Sequence, residues 1–144
     1  MSDFRQITEN FFVAPQITAE DVKAAREVGF QALIMNRPDG ETPDQPDTQE
    51  LIDTANELGL SFYHIPIVAP PEAQDVEATV NALQELDGKK VLAFCRSGTR
   101  SATLWAYAMA WQNQMSVGDI IGYARDAGYD LSGHTPRLTA IASG

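Results

Sequence analysis

The sequence predicts an α/β fold, a three-layer sandwich with a central, mostly parallel sheet and a helical C-terminal third. Three observations predict it. Short apolar runs at 30–35, 60–67 and 90–94 recur at spacings that leave room for a helix between them, and unbroken runs of this length suit strands buried on both faces. The segments between them carry apolar residues at helical spacing. After Phe94 the strand pattern stops and helical periodicity takes over.

Taken in order, FFVAPQ at 11–16 reads as a further strand at a sheet edge, since Pro15 cannot donate to a ladder and suits an edge or a strand end. Thr18 then stands ahead of AEDVKAAREVG with Asp21 three residues on, a variant of the N-capping box, and Gly29 closes that helix. Phe30 to Met35 is the first core strand. In TQELIDTANELGL, residues Leu51, Ile52, Ala55 and Leu58 share one helical face and Gly59 is the stop. Leu60 to Ile67 is the second core strand. In DVEATVNALQELDG, residues Val76, Val80, Leu83 and Leu86 share a face, and Gly88 ends the helix before the third strand, Lys90 to Phe94. Three helical segments follow: SATLWAYAMAWQNQ, SVGDIIGYARDAG and a weaker PRLTAIA. Trp105, Tyr107, Met109 and Trp111 on the first of these are expected to pack in the core, with lining of an acceptor cleft as the alternative for some of them. The proline- and acid-rich segments 36–47 and 68–74 read as loops, and the stretch from Asp39 to Asp47 as a solvated turn. Both follow strands, so in a parallel sheet they start at its carboxyl edge, where open α/β folds place ligands.

One domain, 1–144, accounts for the length. With 44% hydrophobic and 21% charged residues, the composition is that of a soluble globular chain and not of a disordered one. Ten Lys and Arg against twenty Asp and Glu give a formal charge of -10, which repels a phosphate backbone, so no nucleic-acid partner is expected. No run approaches the ~20 apolar residues of a membrane span, and the N-terminus lacks the pattern of a secretory signal. The expectation is a cytoplasmic chain without a membrane partner. A single cysteine supports neither an internal disulfide nor a thiolate metal site. Cys95 is therefore inert packing or a reactive thiol, and no metal is expected.

The stretch VLAFCRSGTRSATLWAYAMA favours the thiol. A buried strand ends at Cys95, a short loop turns the chain, and a helix begins near Arg100 or Ser101. Loop amides and the helix N-terminus would point at the sulfur, Gly98 lets the backbone turn inward, and Arg96 and Arg100 add positive charge. Such surroundings favour the thiolate, the reactive form of cysteine. Cys95 and Arg100 are thus the catalytic candidates, with Arg96, Ser97, Gly98, Thr99 and Ser101 lining an anion pocket. Arg37, at the end of the first core strand, either joins that pocket or pairs with Asp39 or Glu41. His64, inside an apolar strand, reads as a core histidine with one hydrogen bond in preference to a catalytic base. His134 has no partner to argue from.

Loop length separates two chemistries. Protein tyrosine and dual-specificity phosphatases use cysteine, five residues, then arginine, whereas four residues separate Cys95 from Arg100 and the phosphatase position holds Ser101. CRSGTR resembles the active-site loop of rhodanese sulfurtransferases. Further, FFVAPQITAEDVKAAREVGFQALIMNRPDGE and LSFYHIPIVAPPEAQDVEATVNALQEL, ahead of VLAFCRSGTRS, resemble a bacterial family of sulfur transferases over residues 4 to 111. That family also forms the sulfurtransferase part of beta-lactamase hydrolase-like proteins, which carry a metal-dependent persulfide dioxygenase.

The resemblance implies a protein tyrosine phosphatase-like fold with a rhodanese-type loop. It also implies transfer of sulfur from thiosulfate or a persulfide through a Cys95 persulfide to a thiol or cyanide acceptor. No metal or organic cofactor is required. The implied partners are a small anionic sulfur donor, a thiol acceptor, and a persulfide dioxygenase or another protein of sulfur metabolism. Two alternatives stand beside this: a dual-specificity-like phosphatase acting through a phosphocysteine, and a noncatalytic sulfur-relay module. Dual-specificity phosphatases carry an acidic Asp after a segment like HIPI, but here HIPI runs into Val68 and Ala69, with Glu72 and Asp75 the next acids. Phe94 also stands where many phosphatases have histidine. A phosphoester with a poor leaving group needs such an acid, and thiosulfate, which releases sulfite, does not.

Overall fold

The computed structural model describes residues 3–68 and 70–144. A two-residue strand β1 (Arg5–Gln6) turns into β2 (Phe11–Ala14). Thr18 then opens α1 (Ala19–Glu27) with a reciprocal capping box: its hydroxyl accepts from the Asp21 N–H at 3.3 Å, and its own N–H donates to the Asp21 carboxylate at 2.9 Å. Strand β3 (Ala32–Met35) follows, wholly buried. Asp47 caps α2 (Thr48–Glu57), after which come β4 (Ser61–His64) and α3 (Ala73–Glu85). Strand β5 (Val91–Phe94) runs into α4 (Thr99–Gln112). Ser116 caps α5 (Val117–Asp126), and a single 3₁₀ turn (Ser132–His134) leads into α6 (Thr135–Ser143).

The sheet order is β1-β2-β5-β3-β4, with only the β1–β2 pair antiparallel. Because side chains alternate along a strand, each strand feeds both layers. Val13, Ala32, Ile34, Val91 and Ala93 face α3–α6, while Ala14, Leu33, Met35, Leu92 and Phe94 face α1 and α2. That is the expected three-layer α/β sandwich. Placing β5 between β2 and β3 puts the end of β5 in the centre of the sheet's carboxyl edge, in the crevice such folds use for ligands.

Three local expectations change. The FFVAPQ strand is interior, because β1 covers its outer side through pairs such as Arg5 with Val13, and a two-residue strand leaves no periodic signature. The edges are β1 and β4, and the Ser61 and His64 of β4 are exposed; the buried members of that apolar run, Leu60, Ile65 and Ile67, flank the ladder instead of forming it. Trp105 and Tyr107 are buried as expected, but Trp111 is 42% exposed on the outer turn of α4.

Candidate active site

The loop after β5 is pinned on both sides by neighbouring strand ends. The Phe94 carbonyl accepts from the Asn36 N–H at 2.8 Å, and the Arg96 carbonyl accepts from the Gln16 N–H at 3.2 Å. Cys95 sits between these anchors with no exposed surface, and its Sγ accepts from the Gly98 N–H at 3.0 Å. Gly98 has φ 97°, and a Cβ there would overlap the hydroxyl of Tyr129, which lies beneath the loop and donates to the Ser97 carbonyl at 3.4 Å. Only glycine fits that turn. It directs one amide at the sulfur and starts α4, whose positive end has no acidic residue in its first turn.

Arg100 is the second residue of α4. Its Nη1 donates to Glu41 Oε2 at 2.8 Å and to the Ile67 carbonyl at 2.9 Å, and its Nη2 donates to Glu41 Oε1 at 2.8 Å. A guanidinium has five N–H donors. Three are thus committed within the protein, leaving Nε–H and one Nη2–H as a side-on fork for a ligand. The Glu41 contact and the nearby Cys95 charge both hold Arg100 more firmly protonated than an isolated arginine. In return Arg100, together with Arg37, lowers the Glu41 carboxyl from 4.5 to about 2.

Arg37 is only 4% exposed, and its donors are directed to protein groups: Nε to Glu41 at 3.0 Å, Nη1 to Gln16 at 3.1 Å and Nη2 to Thr42 at 2.9 Å. It reaches the pocket through Glu41. Of the other predicted lining residues, Arg96, Ser97 and Thr99 are exposed at the loop surface, with Ser97 Oγ and Thr99 Oγ1 3.1 Å apart. Ser101 is buried, and its hydroxyl donates to Asn36 Oδ1 at 2.7 Å, while Asn36 Nδ2 donates to the Ile65 carbonyl at 2.9 Å. Ser101 therefore ties α4 to the ends of β3 and β4.

Sequence reasoning weighed Glu41 as a partner of Arg37 but missed its pairing with Arg100, and it missed Asn36 and Tyr129. Glu41 stood inside a stretch read as a solvated turn, and its spacing from Arg37 was the one local signal. His64 is exposed on the edge strand and not in the core, with Nε2 3.0 Å from the Arg37 carbonyl. Of the acids weighed for leaving-group protonation, the Asp75 carboxylate accepts from the Glu72 N–H at 3.0 Å, at the start of α3. Ala69, beside which the phosphatase acid was sought, lies outside the described residues. Among the described residues no cluster of metal-ligating side chains occurs, and no helix is long and apolar enough to cross a membrane.

Cys95 is thus a buried cysteine at a central strand end, beside a glycine turn, a helix N-terminus and a braced arginine, surroundings that favour a thiolate and an anion. The family model for the beta-lactamase hydrolase-like protein, phosphatase-like domain, matches residues 3–112. The chain belongs to that family. A beta-lactamase hydrolase-like protein of Agrobacterium fabrum (strain C58) is 30% identical over 131 residues, covering 90% of this chain and 30% of the relative. The chain thus spans less than a third of that curated relative's length. A crystal structure from Neisseria meningitidis Z2491, provisionally described as a phosphatase, superposes with a TM-score of 0.82 at 32% identity, covering 98% of this chain and 99% of that one. Tk-PTP in its active form shares the fold alone, with a TM-score of 0.76 at 17% identity over 98% of this chain and 97% of its own. The protein tyrosine phosphatase-like architecture expected for this phosphatase-like domain is therefore present. The rhodanese and sulfurtransferase descriptions have no counterpart among these relatives.

Proposed function

We propose that this phosphatase-like domain is a cysteine-dependent phosphatase acting on small anionic esters. The observation that carries the reading is the Cys95 sulfur held at 3.0 Å from the Gly98 amide, at the head of the helix that supplies Arg100. In the first step Sγ attacks phosphorus, the S–P bond forms, and the P–O bond to the leaving group breaks with its electron pair. Water then attacks the phosphocysteine, the P–S bond breaks, and thiolate and phosphate are regenerated. The loop amides and the side-on donors of Arg100 hold the equatorial oxygens through both steps. Glu41, the carboxylate that grips Arg100, is held ionised and has no proton to give at neutral pH. The expected substrates therefore carry a leaving group stable as an anion.

A second reading, rhodanese-type sulfur transfer through a Cys95 persulfide, is favoured by the four-residue spacing between Cys95 and Arg100, which makes the ring of amides one residue smaller than in the phosphatases. In that case Sγ takes the outer sulfur of a donor such as thiosulfate, sulfite leaves, and a thiol or partner protein collects the sulfur. One experiment separates the readings. The reduced protein is incubated with an aryl phosphate and with thiosulfate in parallel, and released product and intact mass are followed. Phosphate release, with a phosphoryl adduct absent from Cys95→Ser, supports the first. Gain of one sulfur atom at Cys95 without phosphate release transfers the assignment to the second, and reaction with neither defeats both.

A further inference from the structure

At the amino edge of the sheet, opposite the Cys95 loop, a cavity of about 200 Å³ opens between the ends of α1 and α2 and the starts of β3 and β4. Arg26, Gln31, Ser61 and Lys89 line it beside the buried Phe30, and no carboxylate does. The charges here run against the rest of the chain. Acids outnumber bases twenty to ten, yet only five of the ten bases form an ion pair among the described residues. Three of the others, Arg26, Lys89 and Lys90, gather at this cavity, and the acids next to them in the chain, Glu27 and Asp87, pair with none of them. Neutral groups hold two of the three in place. Arg26 Nε donates to the Leu58 carbonyl at 3.0 Å, and the four N–H of its Nη1 and Nη2 have no acceptor within the protein. Lys90 Nζ donates to the Val28 carbonyl at 2.8 Å and lies 4.5 Å from the centre of the Phe30 ring, behind the cavity wall. The Lys89 ammonium and the Ser61 hydroxyl are uncommitted, and Gln31, whose Oε1 accepts from the Lys90 N–H at 3.3 Å, keeps its Nε2 as a neutral donor.

We propose that this cavity is a second anion site, a seat for one small free dianion: inorganic phosphate or the phosphate of a small monoester. The paired Nη groups of Arg26 match two oxygens of such a group. Lys89 supplies a second charge, and Gln31 and Ser61 supply neutral donors for the remaining oxygens. Size and charge select the ligand further. Pockets for drug-sized molecules start at roughly 300 Å³, so this cavity admits one tetrahedral group with few atoms attached. The formal charge of -10 repels extended acidic surfaces such as nucleic acid or an anionic membrane, whereas a compact ion meets only the local basic wall. The site lies at the other edge of the sheet from Cys95 and does not rest on any reading of that residue.

The test titrates the full chain with inorganic phosphate at constant ionic strength, with chloride as the balancing ion, and follows backbone amides by NMR. The amides of Gly59, Ser61 and Lys89 should move along one saturable curve, separate from any curve traced by Gly98 and Thr99 on the Cys95 loop. Arg26→Gln and Lys89→Gln should each weaken that binding by about three- to fivefold, the scale of one partly exposed charge contact. The double variant should lose saturation altogether, while Gly98 and Thr99 respond as in the wild type. The Lys89 ammonium touches nothing in the fold, so a loss in Lys89→Gln is a loss of ligand contact and not of structure. Absence of a saturable response at Gly59 and Ser61 overturns the site, as do equal shifts with chloride alone, or variants that bind phosphate like the wild type. Retention on vesicles containing phosphatidic acid, without a response to free phosphate, overturns the free ion as ligand and gives the basic wall to a membrane surface.

Discussion

The Glu41 carboxylate grips both terminal nitrogens of Arg100, Oε2 on Nη1 and Oε1 on Nη2, each at 2.8 Å. A fork-to-fork pair of this kind fixes the plane of the guanidinium as well as its position. Removing the carboxylate in Glu41→Ala should leave Arg100 charged but free to rotate. Turnover of the preferred substrate should then fall by about ten- to a hundredfold, the scale on which misplacing a positioned group costs rate. Added formate, which can reoccupy the gap, should restore part of it, and steady-state kinetics with and without formate checks this. Unchanged turnover would mean that Glu41 does not orient the arginine.

The same pair ties stability to acid pH. In the folded chain Glu41 stays ionised down to about 2, whereas its ordinary value is 4.5. Its contribution is therefore fully present above pH 4.5 and is lost as the pH falls from there towards 2, because the unfolded chain binds the proton first. The same sign applies to Asp3, Asp44 and Asp130, all held below their usual range by hydrogen-bond donors. Denaturant midpoints measured across this window should drop more steeply for the wild type than for Glu41→Gln. Parallel curves would remove Glu41 from the account.

Gly98 should tolerate no side chain. The backbone there has φ 97°, and the Tyr129 ring carbon Cζ lies only 2.9 Å from where a methyl group would project, so Gly98→Ala must distort the loop that holds Cys95. Thermal or chemical denaturation should show a loss of about 2 kcal/mol or more, accompanied by loss of covalent capture at Cys95. Combining it with Tyr129→Phe removes the hydroxyl overlap but neither the ring contact nor the positive φ, so rescue should be partial at most.

Ser101 should matter to stability before it matters to chemistry. Ser101→Ala leaves Oδ1 of the buried Asn36 without its 2.7 Å donor, a loss of about 1–3 kcal/mol. With Cys95 and Arg100 intact, activity per folded molecule should change far less than the unfolding midpoint. A loss of activity without a loss of stability would place the hydroxyl in the reaction instead.

What the sequence disclosed follows the range over which each signal acts. Thr18 and Asp21, or the spaced apolar residues of α2 and α3, are signals a few residues long, so these helices and the buried strands β3 and β5 could be read directly. The contiguous loop from Cys95 to Arg100 was legible for the same reason. The pairing of Glu41 with Arg100 was not, because the two lie 59 residues apart in the chain, and a carboxylate among prolines and aspartates looks solvated, or paired with the nearby Arg37, until the sheet brings the two loops together. Asn36 meets the site through Ser101 and the Phe94 carbonyl, and Tyr129 through Gly98 and the Ser97 carbonyl, contacts that likewise exist only after folding. The place of β4 at the edge depends on strand order, which the periodicity of one strand does not encode.

Cys95 is the one thiol in these 144 residues. Whatever group it accepts, no second thiol among these residues can attack that adduct and relieve it, as a resolving cysteine does in dithiol enzymes. Each cycle must therefore wait for a molecule from outside, so a ping-pong rate law is built into the chain. With thiosulfate and no thiol acceptor the protein should take up one sulfur and stop, whereas with an aryl phosphate water is itself the acceptor and turnover continues.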